Sequence, residues 1–241
     1  MINKNSIIFI KLVYEGKMEI YEYLQENVPI GWEDVFKESM VGIKSACKHL
    51  KEKNINYGPA PNLVFRAYQL VPPEKVKVVI FGMNPYPTAD VANGLCFSSN
   101  RNYPVQASLK RIYLEIKNNI PEFVTPQHGD LTAWAQQGVL LLNKSLTVKI
   151  GFPKDHLHIW MNLITTTINH LSNNNKNIIW IMWGGDAQKL DDIIGEKGIK
   201  LKAAHPSPTN TYGGFLGCGH FKEINRLLTE KGMEPINWNL D

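Results

Sequence analysis

The chain has 241 residues, 44% of them hydrophobic, with a formal net charge of +4 and three cysteines. That length suits one α/β domain with a sizeable core, and the mild positive balance permits a nucleic-acid partner without demonstrating one. Cys47, Cys96 and Cys218 have no metal-type spacing and are odd in number for disulfides. This argues against an iron–sulfur cluster and for a reducing, intracellular compartment, the cytoplasm or a nucleus.

In chain order, the apolar run 7–13 is short and interrupted by Lys11, with no small-residue cleavage signature behind it. It predicts an extra strand or helix at the domain edge, not a secretory signal or a membrane span. Residues 18–53 read as helical, broken at Pro29 and Gly31. The turn-rich stretch 54–61 leads to 63–68, which suggests a short strand. Pro72-Pro73 forbids regular structure just before the strand-like run 76–81.

That run ends in Gly82-Met83-Asn84-Pro85-Tyr86-Pro87, and three further segments repeat the plan. Residues 139–142 run into Asn143, residues 178–183 run into Gly184-Gly185, and an apolar stretch precedes His205-Pro206-Ser207-Pro208. Between them, Leu157, Trp160, Met161, Ile164, Ile168 and Leu171 are spaced by three and four, as on one face of a helix. Apolar strands alternating with such helices predict a three-layer α/β/α fold around a central four-stranded, mainly parallel sheet. In such a sheet the ligand site lies beyond the carboxyl ends of the strands, so Asn84, Asn143, Gly185 and His205 are expected to share one cleft. With no linker, repeat or low-complexity tract, residues 1–241 read as a single domain, residues 1–31 forming an N-terminal extension.

Taken singly, most of these residues have plain readings. Asn143 after a strand is ordinarily a turn residue, Phe97 a core residue, and His205 a histidine packed in a proline-bounded loop. His156 and His158 suggest a metal pair, but no third ligand accompanies them and they fit the start of a helix better. His128 and His220 read as structural or surface groups.

The motifs taken together overturn those readings. Gly82-Met83-Asn84-Pro85-Tyr86-Pro87, Gly94-Leu95-Cys96-Phe97-Ser98, the run from Trp134 through Gly138 to Asn143, Trp183-Gly184-Gly185-Asp186-Ala187-Gln188-Lys189, and His205-Pro206-Ser207-Pro208 with Gly214-Phe215-Leu216-Gly217-Cys218-Gly219-His220-Phe221 occur in that order. In this order they resemble the family 1 uracil-DNA glycosylases, over about residues 32–238.

The resemblance implies a monofunctional enzyme of base excision repair, needing no metal or organic cofactor. It would flip uracil out of DNA and hydrolyse the N-glycosidic bond to leave an abasic site. By the same resemblance Asn84 and His205 are the catalytic residues, and Met83, Tyr86, Phe97 and Asn143 bind uracil. Ser108, Gly185, Ser207, Thr209 and Tyr212 would contact DNA, with Lys144, Lys149, Lys154, Lys189 and Arg111 adding sequence-independent attraction. The implied partners are uracil-containing single- or double-stranded DNA and an inhibitor protein that mimics uracil. The chain is expected to act as a monomer, away from membranes.

Four positions depart from the family pattern. Asn84 replaces an aspartate, Pro87 a histidine, Met83 a glutamine, and Thr209 the leucine that wedges into the emptied base stack, so Tyr212 is the alternative wedge. Asn84 and Thr209 also suit a DNA-binding or replication-scaffold protein that has kept the fold and lost the chemistry. Gly82-Met83-Asn84-Pro85 further fits the Gly-x-Asn-Pro motif of mismatch-type glycosylases, although Tyr86 stands where those usually carry glycine.

Overall fold

The structure, a computed structural model, describes residues 19–210 and 213–240; the run 7–13 and Tyr212 lie outside these. The helical reading of the N-terminal part resolves into α1 (Ile20–Glu26), α2 (Glu33–Glu38) and α3 (Met40–Glu52), with Pro29 and Gly31 between the first two. Ile20 and Leu24, Val35 and Phe36, and Ile43, Ala46 and Leu50 are buried at helical spacing. Even α1 therefore belongs to the main core.

After the two-residue strand β1 (Tyr57–Gly58), residues 63–68 depart from the expected strand. Pro61–Leu63 is a 3-10 turn, and α4 (Arg66–Leu70) follows it. Phe65 and Tyr68 both pack on Phe36, each with ring centroids 5.2 Å away. Residues three apart share a face on a helix but point to opposite faces of a strand, so aromatic packing selects the helix. Pro73–Lys75 likewise forms a 3-10 turn rather than irregular chain, with Pro73 where no backbone donor is needed.

The sheet contains β2 (Val78–Gly82), β3 (Val139–Asn143), β5 (Ile179–Trp183) and β6 (Ile199–Ala203), all parallel, in the order β3-β2-β5-β6. β4 (Val148–Lys149) pairs instead with β1, antiparallel. Every residue of β2, β3 and β5 is buried, as expected of strands covered on both faces. β6 differs from the expected buried apolar run. It is one of the two edge strands, partly exposed, and carries Lys200 and Lys202, which both pair with Asp191. Charged edge residues discourage pairing with another chain.

The chain leaves β2 for β3 on one side through α5 (Ala107–Asn119) and α6 (Thr132–Ala135). It then returns past β2 to β5 through α7 (Met161–Asn174). Right-handed crossovers in opposite directions put α5 and α7 on opposite faces of the sheet, giving the three layers. The periodicity beginning at Leu157 becomes helix only from Met161; residues before it form turns. Beyond β5 come α8 (Gly185–Gln188) and α9 (Asp191–Ile194), and α10 (His220–Glu230) closes the fold by burying Phe221, Ile224 and Leu228. The strand order reverses at β2, which places a crevice beyond its carboxyl end.

Candidate active site

Gly82, the last residue of β2, pairs in register with Asn143, the last of β3. A Cβ on Gly82 would lie 2.3 Å from Asn143 Oδ1 and 2.6 Å from Cys96 Cβ, so no larger residue can let the amide stand there. Asn143 is buried and its Oδ1 has no hydrogen-bond partner. Buried polar atoms almost always have one, so an orphaned acceptor on a cavity-lining residue marks a candidate ligand contact.

That cavity has a volume of about 180 Å³ and is lined by residues 82–87, Leu95, Phe97, Ser108, Asn143, Pro153 and His205. Asn84 adds a second orphan. Its Nδ2 donates to Pro85 O at 2.6 Å, which fixes the amide orientation and leaves Oδ1 shielded from solvent and unpaired. Two residues that line the cavity, Asn143 and Asn84, thus each carry an unpaired amide oxygen.

Phe97 and Tyr86 are tied together: the Tyr86 hydroxyl donates to Phe97 O at 2.8 Å. Burial, followed by the nearby Cys96 and Tyr113, raises the Tyr86 pKa, so the phenol stays protonated. Phe97 has φ +60°, in the left-handed region, a conformation costing about 1–3 kcal/mol for a residue with a Cβ. Its ring lies 5.8 Å from Trp183 and 5.9 Å from His205 between centroids. Buried Cys96 donates its thiol to Ile80 O, and burial pushes its pKa well up; it packs and does not react.

His205 follows β6 and crosses close to the end of β5. Gly184 makes room for it: at φ +88° it adopts a backbone that disfavours side chains, and a Cβ there would come 2.8 Å from His205 Cβ. Ser207 N–H donates to His205 Nδ1 at 3.0 Å, so in the neutral ring the proton sits on Nε2 and can be given to a ligand. Burial lowers the His205 pKa and the charge of Asp186 partly opposes this. The neutral donor form is thereby favoured.

The residues singled out in the sequence fall into two adjoining hollows. Asn84, Tyr86, Phe97, Asn143 and Ser108 line the first. Gly185, Ser207 and Thr209 line a second, of about 300 Å³, with Lys154, Trp183 and Asp186; Met83 and His205 border both. Ser108, read as a DNA contact, thus lines the same hollow as the residues read as base-binding. Thr209 is exposed.

Three groups had no role in the sequence reading. Pro153 lines the first hollow, and Trp183 backs Phe97 while donating Nε1–H to His220 Nδ1 at 3.0 Å. His220 is accordingly a buried structural group. Glu115 is buried in α5 and accepts from the N–H groups of Gly217 at 2.6 Å and Gly219 at 2.9 Å, fixing the segment ahead of α10. A strand-final tryptophan was a visible signal; a glutamate on an amphipathic helix was not.

His156 is buried against Thr147, with Nδ1 and Oγ1 3.0 Å apart, and among the described residues no group of three His, Cys, Asp or Glu side chains could hold a metal. No helix among the described residues is long and apolar enough to cross a membrane.

A family profile described as the Uracil DNA glycosylase superfamily matches residues 68–229. The chain is 42% identical over 209 residues to the uracil-DNA glycosylase of Aeromonas salmonicida, covering 86% of this chain and 92% of that one. It is 38% identical over 222 residues to the human uracil-DNA glycosylase, covering 88% and 71%. Among solved structures, mimivirus uracil-DNA glycosylase superposes with a TM-score of 0.83 at 29% identity, covering 96% and 93% of the two chains. A substituted form of mimivirus UNG in complex with UGI gives 0.85 at 28% identity, covering 96% and 94%. With a matching profile over most of the chain and relatives of this identity and coverage, the chain belongs to the uracil-DNA glycosylase superfamily.

Proposed function

We propose that this chain is a monofunctional uracil-DNA glycosylase that flips uracil out of single- or double-stranded DNA and hydrolyses its N-glycosidic bond. The carrying observation is that Asn143 and Asn84, each with a buried and unpaired Oδ1, line one cavity. Uracil brings the matching groups. Its N3–H can donate to Asn143 Oδ1 while the same amide donates to O4, whereas cytosine presents the opposite pair. Extrusion costs a few kcal/mol of unstacking and unpairing. Stacking on Phe97 returns about 1–3 kcal/mol.

In the reaction, the bond between C1′ and N1 breaks with its electron pair going to the base, and water oxygen bonds to C1′. Negative charge collects on uracil O2, where His205 Nε2–H donates. Asn84 Oδ1 accepts a hydrogen bond from the attacking water, but as an amide it takes no proton and carries no charge. The water proton leaves to solvent or to the departing base. Water being the nucleophile, no lysine need form a Schiff base, and no strand cleavage is expected.

Ser108, Ser207 and the backbone near Gly185 serve the phosphates, and the Met83 backbone the base. Thr209 is too small to fill the emptied stack as a leucine would, which leaves Tyr212 as the wedge. We read the chain as one domain, acting as a monomer. A uracil-mimicking inhibitor would bind this face, as UGI binds a mimivirus UNG. The uncharged Asn84 favours the scaffold reading; the intact base-reading cavity opposes it.

Two results test the assignment of individual groups. Given oligonucleotides carrying uracil, cytosine, or thymine in a G·T mismatch, the unchanged protein is expected to release uracil alone. Tyr86→Ala should gain measurable thymine release, because it removes the wall that a 5-methyl group meets, and a methyl alone discriminates by only about 1–3 kcal/mol. Thymine release by the unchanged protein would show a mismatch enzyme.

The pH profile offers a separate check. Protonated Nδ1 would confront Ser207 N–H instead of accepting from it. Because burial lowers the His205 pKa from 6.5 in the free protein, kcat/KM should hold as pH falls to 6.5 and decline only below it. An acid limb centred above that value contradicts the neutral-donor role.

A further inference from the structure

Phe152 lies in the turn that follows β4, and 57% of its surface is exposed. That turn is held firmly. Gly151 N–H donates to Pro87 O at 2.8 Å, pinning it to the motif that lines the base cavity, and Phe152 N–H donates to Lys149 O at 3.0 Å. The next residue, Pro153, lines that cavity and Lys154 lines the adjoining hollow. Lys149 Nζ stands over the Phe152 ring, 4.3 Å from its centroid.

An exposed aromatic ring on a pinned turn, one residue before the cavity-lining Pro153 and with a lysine on either side in sequence, matches the arrangement that binds unpaired strands: cations for the phosphates and a flat ring for a base. Burying the ring in an apolar protein partner would also bury the ammonium group that covers it, at a desolvation cost. A polyanionic strand can pair that ammonium group with a phosphate while a base stacks on the other face of the ring. We propose that Phe152 is a stacking platform for the nucleobase next to the flipped nucleotide, and that it matters most on single-stranded DNA, where that base has no partner. The proposal rests on the glycosylase reading.

The test uses the whole chain and a single-stranded oligonucleotide with one uracil, measuring Kd by fluorescence anisotropy and uracil release in parallel. Phe152→Ala should raise Kd and KM by about tenfold, within the range that base–aromatic stacking spans, whereas Phe152→Trp should retain wild-type values. Replacing the base on one side of the uracil by a tetrahydrofuran abasic residue should weaken the unchanged protein similarly on one of the two sides and leave Phe152→Ala unaffected. Wild-type Kd for Phe152→Ala, or an abasic effect of equal size in both proteins, overturns the proposal. Should this pattern appear without any uracil release, the glycosylase reading falls and the platform stands; uracil release without the pattern gives the reverse.

Discussion

Asn84→Asp is expected to raise kcat for uracil release about a thousandfold. A full charge about 4 Å from the developing sugar cation is worth on the order of 4 kcal/mol at an effective dielectric of about 20, and each 1.36 kcal/mol is about tenfold in rate. The same change should lower stability. Asn84 Nδ2 donates to Pro85 O at 2.6 Å, and a carboxylate would set oxygen against oxygen there, losing about 1–3 kcal/mol as a buried acceptor is stranded. A faster enzyme with a lower Tm is therefore the signature. Single-turnover kinetics and thermal unfolding of the same preparations read both quantities, and a rate unchanged by the aspartate would remove Asn84 from the water site.

His205→Ala is the second large effect. Removing one donor aimed at a developing oxyanion costs about 10²–10³ in kcat, while in the proposed mechanism ground-state binding of the base is assigned to Asn143 and Phe97. A fall in single-turnover rate with Kd for uracil-containing DNA changed only a few-fold is the expected result. A loss in Kd with the saturated single-turnover rate unchanged would mean that His205 merely packs against Phe97, 5.9 Å away between ring centroids.

The fold and the site were unevenly legible in the sequence. The strand-final motifs could be read because β2, β3 and β5 are buried along their length, so their composition is uniform and their polar ends stand out. β6 hid its role behind Lys200 and Lys202, because its residues are only partly buried, unlike those of β3 at the other edge. Residues 63–68 misled because β-like composition there serves a helix whose Phe65 and Tyr68 meet Phe36, a contact made across distant sequence. At the site, the side chains that would touch the base were recognisable by type and motif. The groups that hold them were not: the bond from Tyr86 to Phe97 O, the Ser207 N–H that sets the His205 tautomer, and Glu115 on Gly217 and Gly219 all involve backbone partners. A backbone group looks the same under any residue name.

The central claim is that this cavity binds uracil in order to release it, and the direct measurement is free uracil liberated by the unchanged protein, in excess over a uracil-containing single strand, beside Asn143→Ala. The account predicts slow release, clearly above the protein-free rate and abolished in Asn143→Ala. Tight binding of the strand with no release, the same in both proteins, would contradict it and leave a DNA-binding scaffold.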